Sequence, residues 1–207
     1  MNAFFITFEG IDGAGKSTHI NFVEKYLQDN HIPFISTREP GGTPLGEKLR
    51  NHLLNEDMDP YTETLLMFSS RMEHIKEIIK PNLDKGVSVL SDRFTDATYA
   101  YQHGGKGVNE AFIHELKTLV HPNINPNITF LFDCPIEISL ERLHSTRDLD
   151  KFEKEEKSFH QKVRDAYLKL AKAEPDRFVI IDSSQTIETI QIQIEQSLDK
   201  LFHNANC

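Results

Sequence analysis

Two rhythms of apolar and polar positions run through the chain. Short, nearly continuous apolar runs at residues 4–8, 33–37, 87–91, 128–132 and 178–181 are each bounded by polar or turn-forming residues. Runs of this length without strict alternation predict strands of a parallel sheet, buried on both faces. Between and after them, apolar positions three and four apart predict helices at 17–28, 45–54, 63–83, 110–120, 135–144, 155–172 and 186–202. In the last of these, Ile187, Ile190, Ile194, Leu198 and Leu201 form one stripe suited to packing on a sheet, and Phe68, Met72, Ile75 and Ile79 form a similar core stripe in the third. Strand and helix alternate from end to end without a Pro/Gly/Ser linker, repeat or low-complexity tract. The pattern predicts one α/β domain over residues 1–207 with a five-stranded parallel sheet flanked by helices on both faces.

Ligands of such sheets gather beyond the carboxyl ends of the strands, and the first three strands here each run into unusual polar chemistry. After the first, Gly10-Ile11-Asp12-Gly13-Ala14-Gly15-Lys16-Ser17 fits G-x-x-x-x-G-K-[ST], with Thr18 leading on into a helix. Glycines allow the tight turns that aim backbone N–H groups at phosphate oxygens, and the helix N-terminus adds partial positive charge. Lys16 then reaches the β- and γ-phosphates, and the Ser17 hydroxyl is placed to ligate Mg²⁺. After the second strand comes Arg38-Glu39-Pro40-Gly41-Gly42-Thr43, where a guanidinium fork suits a second phosphate better than a lysine would. After the third comes Asp92-Arg93-Phe94, offering a carboxylate to the metal shell and another phosphate clamp.

Composition narrows the partners. A net charge of −9 argues against a general binder of nucleic-acid polymers or membrane surfaces, while leaving room for a local basic cluster around small nucleotides. Cys134 and Cys207 lie far apart and suggest neither a disulfide framework nor a zinc site, and the ten histidines lack paired ligand spacing. No run approaches the roughly 18 apolar residues of a membrane span, and Glu9 interrupts the first apolar stretch too early for a signal peptide. A cytoplasmic protein is expected.

Together these motifs resemble the thymidylate kinases. The matching elements are Phe8 to Ser17, the Arg38-Glu39-Pro40-Gly41-Gly42-Thr43 string, Asp92-Arg93-Phe94 with Ala100-Tyr101-Gln102 downstream, and the Arg-containing stretch from Arg142 to Glu153. The resemblance covers essentially the whole chain and implies a P-loop kinase fold. The implied reaction transfers the γ-phosphoryl of ATP to thymidine monophosphate (TMP), with Mg²⁺, in dTTP biosynthesis, by a homodimer. Kinases of other nucleoside monophosphates or deoxynucleosides are the nearest alternatives, followed by a non-catalytic nucleotide-binding module.

Carried onto this sequence, the resemblance implies that Gly10 to Thr18 with Arg142 bind ATP. Arg38 and Arg93 hold the acceptor phosphate, with Asp12 near it, and Glu9 and Asp92 order metal waters beside Ser17. Arg71 bonds a thymine carbonyl, Thr98 and Gln102 read the base's polar edge, and Tyr101 crowds the sugar 2′ position. Where the family stacks an aromatic ring four residues before that arginine, this chain has Met67, with Phe68 one residue later; Met67 is expected against the base and Phe68 behind it. Residues 143–153 correspond to a lid. Gly13 occupies the loop position where some members carry a catalytic arginine, so the lid is expected to supply it, from Arg142 or Arg147, with Arg147 preferred. Lys151 stands where many relatives have an arginine, and it cannot make a bidentate contact.

Overall fold

The computed structural model of the protein describes residues 3–144 and 150–204. Five strands, β1 (Phe5–Glu9), β2 (Phe34–Arg38), β3 (Ser88–Asp92), β4 (Ile128–Asp133) and β5 (Phe178–Asp182), form one all-parallel sheet in the order β2-β3-β1-β4-β5. Register aligns the carboxyl ends: Phe8 and Arg38 both pair with Asp92, Glu9 pairs with Leu131, and Asp133 pairs with Asp182. Every strand therefore delivers its loop to the same edge.

Side chains alternate across a strand, and β1 uses both of its faces. Ile6 and Phe8 join a core with Val23 and Leu27 of α1 (Lys16–Asp29) and Ile194 and Leu198 of α9 (Ile187–Asn204). Phe5, on the opposite face, packs with Val89, Phe94, Ile75 and Ile79. The expectation of burial on both faces holds for the inner strands β1, β3 and β4 but not for the edges. Most of β2 is only partly buried and Ile180 of β5 is 44% exposed, because an edge strand has a neighbour on one side only.

The remaining helices are α2 (Pro44–Asn55), α3 (Pro60–His74), α4 (Lys80–Asp84), α5 (Thr95–Thr98), α6 (Glu110–Val120), α7 (Ile136–His144) and α8 (Lys157–Ala173). Thr43, Asp59 and Asn109 cap α2, α3 and α6, accepting from the N–H groups of Gly46, Tyr61 and Ala111. One helix expected at 63–83 is α3 and α4 joined by a π-helical turn, Ile75–Ile79. Met72 leaves the predicted core stripe and is 43% exposed, whereas Phe68, Ile75 and Ile79 are buried. With Tyr61 and Leu65 also exposed, α3 carries a second apolar face turned away from the core.

Residues 95–105, which the apolar rhythm does not mark as an element, are helical: α5 runs into a π-wound segment, Tyr99–Gly105. A Cβ on Gly105 would lie 2.4 Å from the Phe159 ring of α8, so this segment sits too close to its neighbour to display an ordinary apolar stripe. Among the described residues no helix is long and apolar enough to cross a membrane.

His121, just after α6, lies beside the Phe94 ring, with Nδ1 3.0 Å from the Ile124 carbonyl and Nε2 2.7 Å from the Thr95 hydroxyl. A carbonyl only accepts, so Nδ1 carries the proton and Nε2 accepts from Thr95. Burial, helped by the nearby Arg71 charge, pushes this imidazole down to about 4. The unfolded chain holds it near about 6.5, so between those values the unfolded state binds the extra proton and stability falls on acidification. Replacing His121 with Gln should flatten the decline of the thermal midpoint across that window. A variant midpoint falling as steeply as that of the wild type would contradict the assignment.

Candidate active site

The loop between β1 and α1 is built by glycines at positions no side chain fits. Gly13 has φ +76° and a Cβ there would lie 2.4 Å from the Ser139 carbonyl; Gly10 has φ +134° and its Cβ would meet the Phe132 carbonyl at 2.5 Å. Helix α1 follows Gly15 as its N-cap, with no side-chain cap and no acidic residue in its first turn, so among the described residues no side chain caps its leading N–H groups. Lys16 folds back over the loop, its ammonium donating to the carbonyls of Gly10 and Ile11 at 3.2 Å each. Burial, with the Arg93 charge, lowers the affinity of that amine for its proton.

This loop floors a cleft of about 430 Å³ lined by Asp12, Gly13, Gly15, Lys16, Ser17, Thr18, Arg38, Asp92, Arg93, Arg142 and Leu143, together with Glu39, Arg50 and Glu153. Of the expected nucleotide loop, Gly10, Ile11 and Ala14 support it from below; Ile11 and Ala14 are buried in the core. Arg142 reaches in from α7, donating through Nη2 to the Ser183 carbonyl at 3.1 Å. Arg147 lies outside the described residues. The Asp92 Oδ1 is buried with no partner among the described residues, in a cleft that also contains Ser17.

Glu9 does not stand in this cleft. It is fully buried, its Oε1 accepting from the Phe94 N–H and its Oε2 from the Tyr167 hydroxyl, both at 2.7 Å. Burial, with Asp96 nearby, raises its pKa to about 8. The expectation that Glu9 orders metal waters is corrected accordingly: both oxygens are already taken beneath the site, and the carboxylate free to serve is that of Asp92.

Beside the cleft a second pocket opens between α2, α3 and the 95–105 segment, lined by Pro40, Leu54, Met67, Arg71, Phe94, Ala97, Thr98, Tyr101, Gln102, Asp150 and Phe152. Asp12, Glu39, Arg50 and Arg93 line both spaces, so the two meet end to end at a charged wall. Arg93, in the left-handed region at φ +72°, donates through Nη2 to Asp12 at 2.7 Å and to the Tyr101 hydroxyl at 2.9 Å, and through Nη1 to the Tyr167 hydroxyl at 3.0 Å. Tyr101 in turn donates to the other Asp12 oxygen at 2.7 Å. Burial alone would push the Asp12 carboxyl up, but Arg93, with Lys16, holds it well below the usual carboxylate range.

At the far end of this pocket Arg71 is 2% exposed, its Nε donating to Glu39 at 2.7 Å and its Nη2 to the Phe94 carbonyl and the Thr98 hydroxyl. Its Nη1 is buried without a partner among the described residues. Glu39 also takes the His74 imidazole at 2.9 Å, and Arg71, with the His74 bond, keeps that carboxyl ionised below its ordinary value despite burial. Met67 lines the pocket, whereas the Phe68 ring lies 4.8 Å from the Arg71 guanidinium in a core cluster with Val108 and Ile113.

Arg38 stands at the outer edge of the cleft, 2.8 Å from Glu47 and half exposed, and does not line the second pocket. Arg50, which does, was not marked by the sequence: on α2 it reads as one more solvated helix charge. It is held by a 2.9 Å bond to the Pro40 carbonyl, and burial depresses its pKa. Phe152 and Glu39 fall inside the Arg142–Glu153 stretch and the Arg38–Thr43 string, but nothing in the sequence gives either a role of its own.

Residues 8–194 match the family model for thymidylate kinase. The thymidylate kinase of Methylobacillus flagellatus is 50% identical over 194 residues, covering 94% of this chain and 96% of that protein. That of Cupriavidus pinatubonensis is 50% identical over 203 residues, covering 97% and 100%. A crystal structure of thymidylate kinase from Ehrlichia chaffeensis superposes with a TM-score of 0.79 at 34% identity, covering 96% of this chain and 99% of that one. By sequence over nearly its full length and by fold, the chain belongs to the thymidylate kinase family.

Proposed function

We propose that the protein transfers the γ-phosphoryl of ATP to TMP, giving ADP and thymidine diphosphate, with the triphosphate in the loop cleft and the monophosphate in the adjoining pocket. The observation that carries this division is the wall of Asp12, Glu39, Arg50 and Arg93 common to both spaces. An oxygen of the TMP phosphate forms the new bond to the γ-phosphorus while the bond to the β,γ-bridging oxygen breaks. Little covalent chemistry falls to the protein, whose work is to position two polyanions and offset their repulsion. Lys16 and the first turn of α1 serve the donor phosphates. Arg93 and Arg50 serve the acceptor phosphate; Arg38, expected there too, lines the loop cleft and not the adjoining pocket, and is left to the phosphates in that cleft. Because Gly13 leaves no room for a side chain in the loop, the transition-state guanidinium is assigned to the stretch from Arg142 to Glu153, with Arg147 preferred to Arg142.

The unpartnered Arg71 Nη1 suits a base carbonyl, Met67 packs on the base face through its thioether, and Thr98 with Gln102 borders the base edge. The Tyr101 ring, fixed through its hydroxyl by Asp12 and Arg93, leaves little room for a ribose 2′-hydroxyl. For Mg²⁺, the orphaned Asp92 oxygen and the Ser17 hydroxyl are suitable hard donors. Among the described residues no group of three His, Cys, Asp or Glu could hold a metal by itself. When bound, Mg²⁺ supplies neutralising charge to the donor phosphates. Such an enzyme belongs in the cytoplasm, where both nucleotides are made.

A panel of nucleoside monophosphates and deoxynucleosides incubated with ATP and Mg²⁺ tests the assignment, and TMP should be the preferred acceptor. Lys16→Ala should abolish turnover while leaving the thermal midpoint close to wild type; activity within about tenfold would contradict its role. Met67→Phe should lower the KM for TMP about threefold by adding an oriented aromatic face, and an unchanged KM would remove Met67 from the base.

We further propose that two copies pair through the outer face of α3 and the neighbouring α6. Leu65, Met72 and Leu119 are 46%, 43% and 75% exposed, and Tyr61 stacks edge-on with Phe112 between the two helices. Sedimentation should give a dimer for the wild type and a monomer for Leu65→Glu/Leu119→Glu. A monomeric wild type would refute the interface.

A further inference from the structure

Glu63, in the first turn of α3, is fully buried and plays no part in the reaction as set out above. Three groups converge on its carboxylate. The Gln102 amide nitrogen donates to Oε1 at 3.0 Å, and the ammonium groups of Lys106 and Lys151 both lie 2.8 Å from Oε2. Lys151 is tied further, its ammonium donating to the Glu56 carbonyl at 2.8 Å. Lys151 is therefore turned toward α3, and it does not line the phosphate cleft.

The same two ammonium groups flank one ring. Lys106 Nζ is 4.5 Å and Lys151 Nζ 5.2 Å from the Phe152 centroid, and Phe152 meets the Tyr101 ring edge-on at 5.8 Å. Asp150 completes the turn by accepting from the N–H groups of Phe152 and Glu153. Phe152, Asp150 and Gln102 all line the pocket assigned to TMP. A carboxylate only accepts, so the Gln102 atom bonded to Glu63 is its NH₂ group, and the carbonyl oxygen is the end left to meet a base.

We propose that Glu63 is a positioning residue that sets acceptor specificity: one oxygen fixes the orientation of the Gln102 amide, and the other ties Lys106 and Lys151 so that Phe152 closes the pocket wall. The inference rests on the reading of this pocket as the TMP site. A carbonyl held toward the base accepts the N3–H of thymine and opposes the unprotonated N3 of cytosine, a mismatch of two acceptors. An amide released from Glu63 turns over and loses that discrimination.

Steady-state kinetics of Glu63→Gln and Lys151→Met with TMP and with deoxycytidine monophosphate test this. Both variants should raise the KM for TMP about tenfold, the size of a lost charge-assisted bond, with kcat and the KM for ATP within about threefold. The Glu63→Gln/Lys151→Met double variant should resemble the worse single variant and not their product, and Lys151→Arg should restore the wild-type KM. Glu63→Gln alone should also narrow the preference for TMP over deoxycytidine monophosphate about tenfold. Should Glu63→Gln fail to fold, the partly exposed Lys106→Met and Lys151→Met carry the KM test. An unmoved KM for TMP in the folded variants overturns the proposal. So does a fall in kcat alone for Lys151→Met, which would put that ammonium on the migrating phosphoryl. A wild type that turns over ATP with another acceptor but not TMP would overturn the pocket assignment itself, a different result from wild-type turnover of TMP with indifferent variants.

Discussion

One guanidinium keeps the two halves of the site in register. Arg93 leaves β3 in a left-handed backbone conformation that costs a non-glycine residue about 1–2 kcal/mol, and local bonds hold it there: its N–H donates to the Phe8 carbonyl, and the Ser91 hydroxyl donates to its own carbonyl. The side chain then ties the loop through Asp12, the 95–105 segment through Tyr101 and α8 through Tyr167. Tyr167 passes the connection on to Glu9 at the end of β1. Arg93, with Lys16, holds the Asp12 carboxyl well below the usual carboxylate range against the desolvation that works the other way. Asp12, Arg93, Tyr101, Tyr167 and Glu9 thus form one hydrogen-bonded body beneath the meeting of the two spaces.

Around that body the electrostatics run opposite to the chain as a whole. The protein carries a net charge of −9, yet Lys16, Arg38, Arg50, Arg93 and Arg142 all face one cleft. Concentrated cations repel one another: Arg93 makes Lys16 easier to deprotonate, and Arg38 does the same to Arg50. Bound phosphates relieve this repulsion, so the site favours its anionic ligands before any specific bond is counted. The acidic remainder of the surface discourages longer polyanions.

Periodicity and strand-end chemistry made much of this legible. The loop, Arg93, Arg71, Thr98, Tyr101 and Gln102 could be placed from sequence because each follows a strand or matches a family string at a fixed distance. Met67 and Phe68 separated as helix geometry allows, one lining the pocket and one lying under Arg71. What stayed hidden depends on tertiary depth. Glu9 looks like a strand-end carboxylate with access to solvent, and only the packing of α8 and Phe94 shows that it is sealed. Arg50 and Glu63 sit on helices among other charges, and nothing local says that they turn inward. Met72 and the π-helical turn at Ile75–Ile79 show the limit of a 3.6-residue stripe, which assumes that a helix keeps its winding.

The bare start of α1 ties the protein's persistence to its substrates. Three other helices secure their first turns with Thr43, Asp59 and Asn109, whereas α1 forgoes a device worth about 1 kcal/mol at the edge of the cleft. A phosphate bound there would act as the missing cap and leave the ligand-free chain the less durable form. In a cell whose nucleotide pools rise and fall, such binding would make the amount of folded kinase follow those pools through unfolding and degradation.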